Sequence, residues 1–214
     1  MSKSIIATTL SGLFISSEPW EKAHELWFET WAEELDDLSI LDWIDKPNYF
    51  EGVDLVMQIA YPKFTDEQRI IKARETYFDS IIQYIKQNKQ VVNLEIAEYF
   101  KSLKEKYQLA LITTNTQEVT NLILSITNLE NLFDIIETSL PEEKDDKILV
   151  FNRFIKKHGK PIIYIGGGRK DSYNYCKENN ILKIFANLEN SEEIDGVKSI
   201  HNLEELKEEI GNLN

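Results

Sequence analysis

Near its start the chain reads Ser4-Ile5-Ile6-Ala7-Thr8-Thr9-Leu10-Ser11-Gly12-Leu13-Phe14-Ile15-Ser16-Ser17-Glu18, and the rest of the sequence is interpreted from this stretch. Residues 4–8 form a short apolar run of the kind buried in a sheet, whereas residues 18–35 place Trp20, Ala23, Trp27 and Trp31 at helical spacing. The segment between them must then be a connecting loop, in which Gly12 supplies the backbone freedom of a turn. Strand, loop and helix in this order make the first half of a crossover unit in a parallel sheet.

Beyond this unit the pattern stays helical to about residue 89. Thr65 followed by Gln68, after Pro62, has the form of a capping box that starts a second long periodic segment over residues 65–86. Residues 42–61 form a broken region, whose Pro47-Asn48 and Glu51-Gly52 suggest turns flanking a shorter helix. From residue 91 onward helix and strand alternate. Strands are expected at residues 108–113, 133–138, 161–165 and 183–186, and helices at 93–107, 117–126, 144–158, 171–179 and 203–210. Leu109-Ala110-Leu111-Ile112 and Ile162-Ile163-Tyr164-Ile165 lack strict alternation, as strands covered on both faces do. The first strand must join this sheet across the helical stretch.

In an open parallel sheet the ligand site lies beyond the carboxyl ends of the strands. Four stations there carry chemistry: the loop at residues 9–14, Thr113-Thr114-Asn115-Thr116, a lysine ahead of Val150-Phe151 and Phe154-Ile155, and Gly166-Gly167-Gly168-Arg169-Lys170-Asp171. Each has a structural explanation of its own in turns and helix caps. Taken in order, they resemble the haloacid-dehalogenase-like superfamily, whose first loop reads Asp-x-Asp-Gly-Thr-Leu, often followed by Ile-Asp-Ser-Glu. Gly12, Ile15, Ser17 and Glu18 match that pattern, while Thr9, Ser11 and Ser16 stand where three aspartates are expected. Thr114, with Thr113 as the second choice, and the following Asn115 fit the phosphate-binding Ser/Thr motif. Lys144 and Lys147 are both candidates for the family lysine, and Lys147 keeps the better phase with Phe151 and Phe154. Gly166, Gly168 and Asp171 match Gly-Asp-Gly-x-x-Asp, and Gly167 takes the place of the magnesium-binding aspartate.

The resemblance implies an α/β fold, a Rossmann-like parallel-sheet core flanked by helices over residues 1–15 and 90–214, with an inserted helical cap over residues 16–89. It also implies phosphohydrolase chemistry, which needs a carboxylate nucleophile, a second acid or base and a magnesium ion. Thr9 and Ser11 are degenerate at the catalytic positions, no metal ligand set remains, and magnesium binding is expected to be weak or absent. The expected ligand-binding set is Thr114, Asn115, Lys144, Lys147, Gly166, Gly167 and Asp171. Without the carboxylates such a pocket no longer repels an anion, which points to an inactive member that binds a phosphorylated or anionic small molecule, or a protein partner. The alternatives are an active family phosphohydrolase with a non-standard site, and a structural or interaction module with a collapsed pocket. Restoring aspartate at positions 9, 11 and 167 is expected to return magnesium-dependent hydrolysis.

Composition narrows the partners. A formal charge of −13 and a pI near 4.8 repel phosphate backbones and anionic lipid, so neither nucleic acid nor a membrane is expected. Hydrophobic content of 42% with 29% charged residues, and no apolar run of the roughly 18 residues a span needs, fit a folded cytoplasmic protein. Cys176, the sole cysteine, lies in an expected helix and is assigned to packing. The tryptophan stripe is assigned to the core of the helical region.

Overall fold

The structure is a computed structural model that describes residues 3–46 and 49–213, and the turn expected at Pro47-Asn48 lies outside them. Strands β1 (Ile5–Thr8), β2 (Gln108–Thr116), β3 (Ile135–Ser139), β4 (Ile163–Gly166), β5 (Leu182–Ala186) and β6 (Lys198–Ile200) form one sheet. Their order is β3-β2-β1-β4-β5-β6, and every pairing is parallel. The helices are α1 (Glu18–Glu34), α2 (Tyr49–Ala60), α3 (Asp66–Gln87), α4 (Leu94–Leu103), α5 (Gln117–Ile126), α6 (Lys147–His158), α7 (Lys170–Glu178) and α8 (Leu203–Gly211). Short 3₁₀ turns occupy Leu38–Trp43 and Lys89–Val91. This is the expected α/β, Rossmann-like architecture.

The chain divides into two compact units. One takes the chain through Ser17, Gln90–Ser139 and the part from Asp145 onward; the other takes Glu18–Lys89 and Leu140–Lys144. In the α/β unit all four residues of β1 are buried, as a central strand covered on both faces requires. The small Ala7 and Ala110 share a core cluster with Phe151 and Phe154 of α6, Tyr164 of β4, and Tyr173 and Cys176 of α7. Each large apolar side chain so buried contributes roughly 1.5–3 kcal/mol relative to exposure. Burial pushes the Cys176 thiol up to about 12, which leaves it an inert packing group at neutral pH.

In the helical unit Trp27, Phe28 and Trp31 of α1 pack with Val56 and Met57 of α2 and Ala73 of α3. The indole of Trp27 donates to the Ala73 carbonyl at 3.0 Å, so its one polar atom is satisfied. Thr65 and Gln68 form the capping box of α3. Arg74 of α3 donates to the carbonyls of Leu140, at 3.2 Å, and Glu143, which ties the segment Leu140–Lys144 to this unit. Among the described residues no helix is long and apolar enough to cross a membrane.

Several local expectations change, among them α4, which ends at Leu103 rather than at residue 107. Gly52 lies inside α2 rather than in a turn: a Cβ there would stand 2.4 Å from the Trp43 ring, so the glycine makes room for the indole. β2 runs on to Thr116 instead of stopping at residue 113. The helix expected from residue 144 begins at Lys147, because Asp146 caps it by accepting from the N–H groups of Ile148 and Leu149. Finally, β6 is too short to show a pattern, with Ile200 its one buried residue.

Candidate functional site

β1 lies between β2 and β4, with Thr8 in register with Leu111 on one side and Ile165 on the other. The strand order reverses here, so a crevice for a ligand is expected beyond the carboxyl ends of these three strands. All four stations singled out in the sequence come to this edge or to the segments leading from it.

The β1 loop is closed by its own backbone. The Leu10 carbonyl accepts from Phe14 and Ile15 at 3.1 Å each, and the N–H of Gly12 donates to Ile15 at 2.7 Å. Gly12 has φ +75, a left-handed conformation that other residues adopt only with strain. Leu13 and Phe14 are buried, while Thr9 and Ser11 are half-buried. The loop retains a turn without the aspartates because its geometry comes from glycine and buried apolar side chains.

The β1 and β4 loops touch backbone to backbone. A Cβ added to Gly167 would stand 2.6 Å from the Ser11 carbonyl oxygen and 3.2 Å from the Gly12 Cα. One added to Gly12 would stand 2.8 Å from the Gly167 Cα. The backbone of one loop therefore occupies the room that a side chain at position 167 would need.

At the second station the strand continues through the motif with an irregularity between Ile112 and Thr116. Thr113 is buried, and its hydroxyl accepts from the Asn115 N–H at 3.2 Å. Asn115 is buried as well, and Thr114 is half-buried. The hydroxyl that caps α5 belongs to Thr116, which accepts from the Val119 N–H. α5 begins at Gln117, as expected, so its N-terminus lies three residues beyond Thr114, with one of its donors already taken.

The two lysines have different surroundings. Lys147, the first residue of α6, is 3% exposed, and its ammonium donates to the Ile112 carbonyl of β2. Burial, assisted by the nearby Arg169 charge, lowers its pKa to about 7 against the opposing pull of Asp145 and Asp171. Lys144 is exposed and pairs with Asp54 at 2.9 Å within the helical unit.

The β4 loop is held by side chains. The buried Tyr173 hydroxyl lies 2.6 Å from the carbonyls of both Gly166 and Gly167, and its single proton serves one of them at a time. Arg169 Nε donates to both carboxylate oxygens of Asp171 at 3.0 Å. Its Nη1 reaches Asp145 Oδ1 at 2.7 Å, and its Nη2 reaches the Asp145 carbonyl at 2.9 Å. Burial works against the guanidinium charge, but the two aspartates outweigh it and hold the pKa above the ordinary arginine value. Lys170 points elsewhere, 3.6 Å from Glu192 and largely exposed.

The donor set does not fit the divalent ion that the family resemblance implies. Thr9 offers a hydroxyl, Gly167 offers no side chain, and Asp171 is engaged at both oxygens by Arg169. Among the described residues no group of three or more His, Cys, Asp or Glu side chains is placed to hold a metal ion. Sequence reasoning missed Asp145 and Tyr173. Two adjacent acids before a helix, of which one suffices as a cap, were the signal available for Asp145; Tyr173 carried none beyond its apolar helical phase.

The sequence profile of the family described as haloacid dehalogenase-like hydrolase matches residues 22–186. No curated protein sequence matches the chain. Among solved structures, a predicted phosphatase from Clostridium acetobutylicum superposes with a TM-score of 0.64 at 20% identity, covering 100% of each chain. A β-phosphoglucomutase from Clostridium difficile gives 0.60 at 14% identity, covering 99% of this chain and 98% of its own. A HAD-hydrolase from Bacillus subtilis bound to magnesium gives 0.59 at 12% identity, covering 99% of this chain and 100% of its own. At these identities the likeness is one of fold.

Proposed function

The chain belongs to the haloacid dehalogenase-like hydrolases, and within that family we propose that it is a non-hydrolytic member, a capped α/β protein without aspartyl-phosphate chemistry. The observation that carries this is the backbone contact of Ser11 and Gly12 with Gly167, which fills the space of a metal-binding side chain. The three tasks of the family reaction, in-line attack, proton exchange with the leaving oxygen and charge balance by a divalent ion, each lack their usual residue. Thr9 carries a weak nucleophile in place of a carboxylate, and Ser11 is a poor acid or base near neutral pH. Incubating the protein with a broad panel of phosphomonoesters and magnesium tests the proposal. The expected result is no turnover that EDTA removes. Magnesium-dependent turnover that Thr9→Val abolishes would restore the protein to the active phosphohydrolases.

A second reading, the binding of a phosphorylated or other small anion without turnover, has Lys147 in its favour. Its ammonium sits buried against the Ile112 carbonyl of β2, where an anion would stabilise the charged form. Asp145 and Asp171 nearby offset that attraction, so binding depends on Lys147 being protonated. A rise in melting midpoint with inorganic phosphate that is larger at pH 6 than at pH 8.5, and lost in Lys147→Met, supports this reading. No shift at either pH leaves a closed site.

A further inference from the structure

We propose that the Arg169 guanidinium holds the electrostatic place of the divalent cation in this fold, as a charge carried by the chain that gathers the acids of two segments. This rests on the non-hydrolytic reading: a centre that holds no divalent cation leaves its acids to be balanced by a charge of the chain.

The geometry supports it at four contacts. Arg169 Nε is shared between the two oxygens of Asp171 on its own loop, while Nη1 and Nη2 take the side chain and the carbonyl of Asp145, 24 residues away. A planar guanidinium presents its donors in a fixed fork, so one group orients both segments at once. The three side-chain partners are each 36% exposed, which places the cluster between surface and interior. Position gives an independent argument. Arg169 stands at the N-cap of α7, where its side chain makes no cap bond and a positive charge opposes the helix dipole. A cation in that place is tolerable because two acids surround it. Conversely, Asp145 and Asp171 would repel one another without a cation between them. The neighbouring Lys147 ammonium cannot serve both, because it is turned to the Ile112 carbonyl.

The test is the melting midpoint of the full chain in EDTA and in millimolar MgCl2 at matched ionic strength. The wild-type midpoint is expected to be the same in both. Arg169→Met is expected to melt about 4–8 °C lower in EDTA. At least half of that loss should return with MgCl2, or with the added substitution Asp171→Asn, because each relieves the repulsion between the two acids. Arg169→Lys, which keeps the charge and loses the fork, should retain most of the midpoint and stay indifferent to magnesium. The proposal is overturned by a wild-type midpoint that rises with magnesium, by an Arg169→Met midpoint equal to wild type, or by a loss that neither magnesium nor Asp171→Asn reverses. Should Arg169→Met fail to fold, Arg169→Lys settles the matter: a midpoint near wild type upholds the role of charge, and failure to fold excludes it. Phosphomonoester turnover would remove the non-hydrolytic reading without altering this pattern of midpoints, so the two fail separately.

Discussion

The loops after β1 and β4 meet at one contact but are built by opposite means. The β1 loop makes its turn from its own backbone, with the Leu10 carbonyl and the N–H of Gly12 supplying the bonds and Leu13 and Phe14 anchoring it in the core, while its end is tied to the segment before α4, where the Asn93 N–H donates to the Phe14 carbonyl at 2.8 Å. The β4 loop has its carbonyls gripped by Tyr173 from α7 and its arginine anchored by the distant Asp145. A loop encoded locally keeps its shape when its catalytic acids are replaced. A loop held from outside depends on every partner, and a change in any of them should be felt along it.

The largest effect is expected for the combined substitution Thr9→Asp, Ser11→Asp and Gly167→Asp. It adds three carboxylates where no ion-binding set stands and forces a side chain against the Ser11 carbonyl. A loss above about 4 kcal/mol in urea unfolding is expected, together with no magnesium-dependent hydrolysis. This reverses the simple expectation that restoring the acids restores the reaction. A stable, hydrolytic triple variant would show that the β4 loop moves aside and is not held as described.

Lys147→Met comes next. The folded protein binds this proton with a pKa of about 7 and the unfolded chain near the usual lysine value of 10.5. Between these values the unfolded chain carries more protons, so wild-type stability should rise with pH across that window, by at most about 1.4 kcal/mol per unit. The methionine variant should lose that slope and be unchanged in slope below pH 7; equal slopes for both proteins would remove the buried-amine account. Tyr173→Phe takes away one buried hydrogen bond and should cost about 1–3 kcal/mol. Amide exchange should quicken at residues 166–169 and stay unchanged at residues 12–15; a uniform change would mean that the two loops are not held separately. A smaller effect is that of Thr116→Ala, about 1 kcal/mol from the lost cap of α5, read from the urea midpoint.

The fold was legible because it rests on periodicity and order. Apolar runs such as Leu109-Ala110-Leu111-Ile112 announce strands covered on both faces, and the interval between them sets the crossover helices. Gly12, Gly166 and Asp171 marked the loops through turn chemistry that reads locally. The site was legible only as a set of places. That Gly12 and Gly167 touch is a contact between residues without side chains far apart in the sequence, which no local pattern records. That Arg169 takes Asp145 while Asp146 caps α6 depends on backbone direction at a helix start, and the acidic pair alone does not reveal which acid does which. Lys144 and Lys147 differ in sequence only by phase, yet one is buried against β2 and the other is exposed beside Asp54.

Two adjacent glycines offer the sharpest measurement. A Cβ at Gly167 meets the Ser11 carbonyl at 2.6 Å, whereas a Cβ at Gly168 meets nothing within 4 Å. In urea unfolding, Gly167→Ala should lose at least about 2 kcal/mol relative to wild type, while Gly168→Ala should stay within about 0.5 kcal/mol. If the two variants are equally stable, the loops do not meet at position 167 and the site is open after all.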